Sequence, residues 1–156
     1  MTIPYRCMLV ALLLVALGGC AATEHSVNDL MQTRKSAYLA YQEGNYSEAI
    51  KQFNQLVAAM PKDSDLWFRL GNAYARNLQP RQAVLAYENA LLRDPHLKKA
   101  WYNMGLVQLK EALKTFDEMA QYVSPDDPIG QQGVMMRARL IQLLQQQENP
   151  QTSSKQ

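Results

Sequence analysis

Two kinds of apolar pattern run through this chain. Near the start, Met8–Leu17 is an unbroken apolar run. It is shorter than the ~20 residues that a bilayer-spanning helix needs. Further on, apolar residues recur among polar ones. Ile129, Met136, Leu140, Leu143 and Leu144 fall at helical spacing and predict a helix over 128–147. No Gly or Pro stands between Leu106 and Val123, so residues 97–122 read as one continuous helix. At 1.5 Å per residue it would be roughly 39 Å long. A tight hairpin near Lys110 is the alternative, and turn residues for it are lacking. The segment from Ser124 to Pro128 separates these two helices, and the last helix is expected to pack back on the long one. Residues 148–156 form a polar tail.

Between these ends the chain repeats itself. Ala49 and Ala83, Phe53 and Tyr87, Pro61 and Pro95, Trp67 and Trp101, Leu70 and Met104, and Gly71 and Gly105 are all separated by the same interval. That interval, 34 residues, is the period of a helical-hairpin repeat. Small residues such as Gly71 and Ala83 let two helices approach closely, and Trp67, Tyr74 and Tyr87 fill the space beside them. Ser64 is a candidate N-cap, Pro80 suits a first helical turn, and Pro61 and Pro95 mark helix ends.

Residues 64–97, with Trp67, Leu70, Gly71, Tyr74, Ala83, Tyr87, Ala90 and Pro95, resemble a tetratricopeptide repeat at every key place. Residues 30–63 keep Ala37, Ala49, Phe53 and Pro61 but carry Thr33, Ser36 and Ala40 where Trp, Leu and Tyr are typical. A partial third repeat, 98–123, begins with Trp101, Met104 and Gly105. Residues 111–116 then resemble the second helix of a repeat, but five residues are missing where the turn should be. The implied fold class is all-α: a short solenoid of antiparallel helical hairpins over 26–147, with a long third helix and a C-terminal capping helix.

The first residues read as an address. Arg6 precedes the apolar run, and Leu17-Gly18-Gly19-Cys20 follows it. This is the three-part order of a secretory signal. The last four residues resemble a bacterial lipobox. The resemblance implies cleavage after residue 19, lipid on the Cys20 thiol, and a tether over 20–25. Each buried methylene contributes ~0.8 kcal/mol, so two or three acyl chains anchor durably. Ala21, where Asp is the inner-membrane retention signal in enteric bacteria, favours the outer membrane facing the periplasm.

Composition narrows the chemistry. The net charge is +2, from 16 basic and 14 acidic residues, and the basic residues are scattered. No clustered basic face suggests nucleic acid. Loss of Arg6 with the signal lowers the charge to +1, and loss of Cys7 leaves a mature chain whose one cysteine carries lipid. His25 and His96 lack metal-ligand spacing, so neither metal nor cofactor is expected. No nucleophile–base pattern or phosphate loop appears, and the expectation is a non-enzyme. Asp126 and Asp127 read as helix-start residues, Gly130 and Gly133 as close-packing or loose-turn positions, and Met135 and Met136 as core and edge filling.

In the resembled family, the first helices of the repeats line a groove that holds a partner's peptide or helix. Carried over residue by residue, the groove falls on Arg34, Tyr38, Tyr41, Phe68, Asn72, Arg76, Lys99, Tyr102, Asn103 and Leu106. Asn72 and Asn103 can each offer a peptide backbone a donor and an acceptor. Arg34, Arg76 and Lys99 favour an acidic segment, but Phe68 stands where the family's carboxylate clamp has Lys. The expected function is a lipid-anchored adaptor for a protein or peptide partner in an envelope assembly such as pilus biogenesis or secretion. Self-association, a cell-wall-linked role, or non-catalytic activation of a periplasmic enzyme is the alternative.

Overall fold

A computed structural model describes residues 19–148. The expected signal and polar tail lie outside the described residues, save Gly19 and Glu148 at their inner edges. The described chain holds six helices: α1 (Gly19–Gln42), α2 (Tyr46–Ala59), α3 (Ser64–Arg76), α4 (Pro80–Arg93), α5 (Lys98–Tyr122) and α6 (Pro128–Glu148). Each packs on the next, and α3 also touches α5. No described helix is long and apolar enough to cross a membrane.

Local chemistry sets the helix ends. The Asn45 side chain accepts the Glu48 N–H at the start of α2. Asp63, and not Ser64, caps α3, accepting the N–H groups of Asp65 at 3.0 Å and Leu66 at 3.1 Å. Ser64 is instead the first helical residue. Pro80 opens α4, where its missing N–H has no helical partner to lose. Asp127 caps α6 through the N–H groups of Ile129 and Gly130. The α1–α2 and α3–α4 turns share one design. Asn45 N–H reaches the Ala40 carbonyl and Gln79 N–H reaches the Tyr74 carbonyl, each bond closing a Schellman turn. The left-handed residue is Gly44 (φ 78°) in the first and Leu78 (φ 57°) in the second.

The core follows the repeats. Ala37, Ala49, Phe53, Leu56, Leu66 and Leu70 are fully or almost fully buried between α1, α2 and α3. Ala83, Tyr87, Ala90 and Ala100 extend that core between α3, α4 and α5. Burying a side chain such as Phe53 contributes ~1.5–3 kcal/mol. Gly71 makes room for Tyr87: a Cβ there would lie 2.5 Å from the Tyr87 ring.

Two expectations change and one holds. The 20–25 segment, expected as a tether, has helical backbone, because the polar stretch before Leu30 continues α1 without a breaker. Residues 98–122 are one helix, as the unbroken stretch predicted, so the missing turn lengthens α5. The capping helix packs on a different face from the one its apolar periodicity suggested. Gly130 sits against the Ser124 carbonyl and Gly133 against Met119, and Leu140 is buried. These close approaches fix the rotation of α6. Ile129, Met135, Met136 and Leu143 then face outward, so the two methionines fill no core.

A candidate peptide cleft and a closed ion network

The repeats bring α1, α3 and α5 side by side, and a cleft of about 440 Å³ opens on that side. Tyr41, Asn72, Arg76, Asn103 and Leu106, all expected groove residues, line it. Asn72 is its centre. Its Oδ1 accepts from the Tyr87 hydroxyl at 2.8 Å and from Asn103 Nδ2 at 2.8 Å. Burial pushes the Tyr87 hydroxyl's pKa up, so it stays protonated and keeps donating to Asn72. The network fixes both asparagines. It leaves the Asn72 Nδ2 donor and the Asn103 Oδ1 acceptor with no partner among the described residues. A peptide unit offers one acceptor and one donor, which is what this pair can meet.

The other expected groove residues are engaged elsewhere. Arg34 is paired with Asp63 at 3.1 Å. Lys99 is paired with Asp65 at 2.7 Å, and its ammonium lies 4.3 Å from the centre of the Phe68 ring. Phe68 is buried beneath it. Arg69 also binds Asp65, at 2.6 Å, and lies over the Tyr38 ring. Partial burial raises the Asp65 carboxyl's affinity for a proton. The hydrogen bonds from Lys99 and Arg69, with their charges, outweigh it, and the pKa lies below the usual value. Arg34, Tyr38, Phe68 and Lys99 therefore form a self-satisfied network, correcting the expectation that Arg34 and Lys99 stand ready for an acidic ligand. Tyr102 is exposed and donates to Gln147 on α6, away from the cleft.

The carry-over missed Ala75, Tyr87, Val107 and Lys110, which also line the cleft. Val107 lies one turn beyond Asn103, and Lys110 one turn beyond Leu106, so continuation of α5 brings both to the same side. Arg76 and Lys110 make no ion pair among the described residues. They give the open cleft its positive charge. Among the described residues no group of three or more His, Cys, Asp or Glu could hold a metal ion.

The repeat pattern and this geometry meet in the comparisons. A "TPR repeat" family profile matches residues 37–77, and a "Tetratricopeptide repeat" profile matches 64–97. Residues 37–97 carry tetratricopeptide repeats. The matched residues end at Leu97, just before α5 begins. Among curated relatives, cellulose synthase operon protein C of Escherichia coli (strain K12) is 37% identical over 65 residues, covering 42% of this chain and 6% of that protein. The general transcriptional corepressor ssn6 of Schizosaccharomyces pombe is 33% identical over 61 residues, 38% of this chain and 6% of the relative. The chain thus spans about 6% of the length of these relatives, and the similarity is one of repeats. Photosystem I assembly protein Ycf3 of Acaryochloris marina is 24% identical over 115 residues, 64% of this chain and 69% of that protein. Among solved structures, the Sgt2 TPR domain from Aspergillus fumigatus superposes with a TM-score of 0.50 at 19% identity, covering 77% of this chain and 82% of that one. At that identity the tetratricopeptide likeness shows the fold alone.

Proposed function

We propose that this chain is an adaptor whose cleft binds an extended, acidic peptide segment of a partner protein. One observation carries the reading: Asn72 and Asn103, both in the cleft lining, are locked together and to Tyr87, yet keep a donor on Asn72 and an acceptor on Asn103 unused among the described residues. Arg76 and Lys110 at its margin supply the attraction for acidic side chains. Preorganisation matters, because side chains already fixed lose little entropy on binding. The role is non-catalytic, as tetratricopeptide repeats serve as interaction modules.

The lipobox-like Leu17-Gly18-Gly19-Cys20 supports a second element of the proposal, lipid attachment at Cys20 and a periplasm-facing place at the outer membrane. The adaptor would then recruit its partner to an envelope assembly of the pilus-biogenesis or secretion kind. Crosslinking in cells tests the cleft. Asn72→Ala and Arg76→Ala variants, shown to stay helical, should lose the partner bands that the unaltered chain gives. Retention of those bands in both variants removes the cleft from the function. Labelled palmitate tests the anchor: Cys20→Ser should abolish incorporation, and incorporation that persists refutes it.

A further inference from the structure

The second and third repeats start alike and finish differently. In the second, α4 covers the Trp67–Gly71 face of α3. The Tyr87 ring occupies the notch at Gly71. The Trp67 indole N–H donates to the Pro61 carbonyl at 3.0 Å. Arg93 lies over the Trp67 ring, 4.8 Å from its centre, and donates to the same carbonyl. Ala83 and Ala90, fully buried, let the two helices come this close.

The third repeat presents the same surface without the cover. Trp101 donates to the Pro95 carbonyl at 3.0 Å, as Trp67 does to Pro61. A Cβ at Gly105 would meet nothing within 4 Å, and Trp101 is 54% exposed. The α6 helix lies elsewhere, with Gly133 against Met119, Arg137 on Asp117, and Gln147 at Tyr102. The chain's own filler has been carried off. Ala112 and Phe116, spaced like Ala83 and Tyr87, continue along α5, and Phe116 lies ~16 Å beyond Gly105 along the axis.

We propose that the Trp101–Gly105 face of α5 is a docking seat for an amphipathic helix of a partner protein built on the α4 pattern. That pattern is a small residue, an aromatic four positions on, a second small residue three further, and a basic residue three beyond that, as in Ala83, Tyr87, Ala90 and Arg93. The aromatic ring enters the notch at Gly105. The cation stacks on Trp101 and takes the second lone pair of the Pro95 carbonyl. The small residues allow the close crossing. The seat lies across α5 from the Asn103 side, since residues 101 and 105 are each about 160° around the helix from 103. Its occupation is therefore independent of the cleft.

The probe is a synthetic peptide of residues 79–95, hydrocarbon-stapled between the exposed positions 81 and 85 to hold it helical. It is titrated into the full chain carrying Trp67→Phe, so that Trp101 alone reports. Saturable burial of Trp101, seen as a blue shift, is expected, with affinity weakened more than roughly tenfold by Tyr87→Ala in the peptide. Gly105→Leu should fold with a melting temperature no lower than the unaltered chain's, because the space is open and Leu favours a helix more than Gly does, and should remove the shift. Should Trp67→Phe fail to fold, the Trp101 indole N–H resonance of the unaltered chain gives the same readout. No change at Trp101 with saturating peptide, or binding indifferent to Gly105→Leu, overturns the proposal. So does a free chain that sediments as a dimer with Trp101 shielded, which makes a second copy the occupant. None of these outcomes bears on the Asn72 cleft.

Discussion

Trp67 and Trp101 stand 34 residues apart and donate to equivalent proline carbonyls at the same distance, 3.0 Å. One is half-buried under Arg93 and the other is open to solvent. Gly71 and Gly105 diverge in the same way, the first filled by Tyr87 and the second facing empty space. Each first helix carries the same Trp–Gly pair at the same spacing. The difference comes from the next stretch of chain, a returning helix in one repeat and a straight continuation in the other. The same pair thus becomes a covered surface in one place and an exposed one in the next.

Substitutions along the two repeats break this comparison at different strengths. The largest effect belongs to Tyr87→Ala, which empties the Gly71 notch and should lower stability to urea by ~3–5 kcal/mol. Trp101→Ala, on the uncovered counterpart, should cost less than about 1 kcal/mol. Similar losses for the two would mean that α5 is covered after all. A methyl group separates the glycines next. Gly71→Ala drives a Cβ into the Tyr87 ring and should cost ~1–3 kcal/mol. Gly105→Ala meets no neighbour and should raise stability by ~0.5–1 kcal/mol through helix propensity.

The turns give a smaller contrast. Leu78 holds the left-handed position that Gly44 holds one repeat earlier, and its side chain is 89% exposed. Leu78→Gly should therefore stabilise the chain by about 1 kcal/mol, read as a higher urea midpoint. A loss would show that the leucine makes a contact worth more than the strain.

The smallest effect is the pH dependence of the Asp65 network. Its pKa is lowered on folding from the ordinary value of 3.8. A depressed carboxylate contributes stability above the unfolded pKa and loses it as pH falls through the folded one. The stability gap between the unaltered chain and Asp65→Asn should be under about 1 kcal/mol at pH 7, given its exposure. It should shrink below roughly pH 4. A gap that widens with acidification reverses the assignment.

Much of the fold was legible because the repeat encodes it in residue type. Gly71 with Tyr87, Pro80, and the breaker before Pro128 each act within a few residues or one hairpin, where spacing predicts contact. The site was legible in its centre, Asn72 and Asn103, and illegible in its charges. Arg34 and Lys99 share a residue type with Arg76 and Lys110, but only the first two pair with carboxylates, Asp63 and Asp65. No local pattern distinguishes a paired cation from an unpaired one across helices.

The sequence by itself determined the helical repeat, the proline and glycine punctuation, and the positions where small residues admit large ones. Those are consequences of backbone sterics and side-chain volume, which travel with the residue. Only the tertiary structure decided the rotation of α6, which turned Met136 and Leu143 outward, and the pairing that closed the Asp65 network. It also decided the fate of Trp101. Each depends on how separate helices meet, and close packing admits one arrangement where periodicity alone permits several.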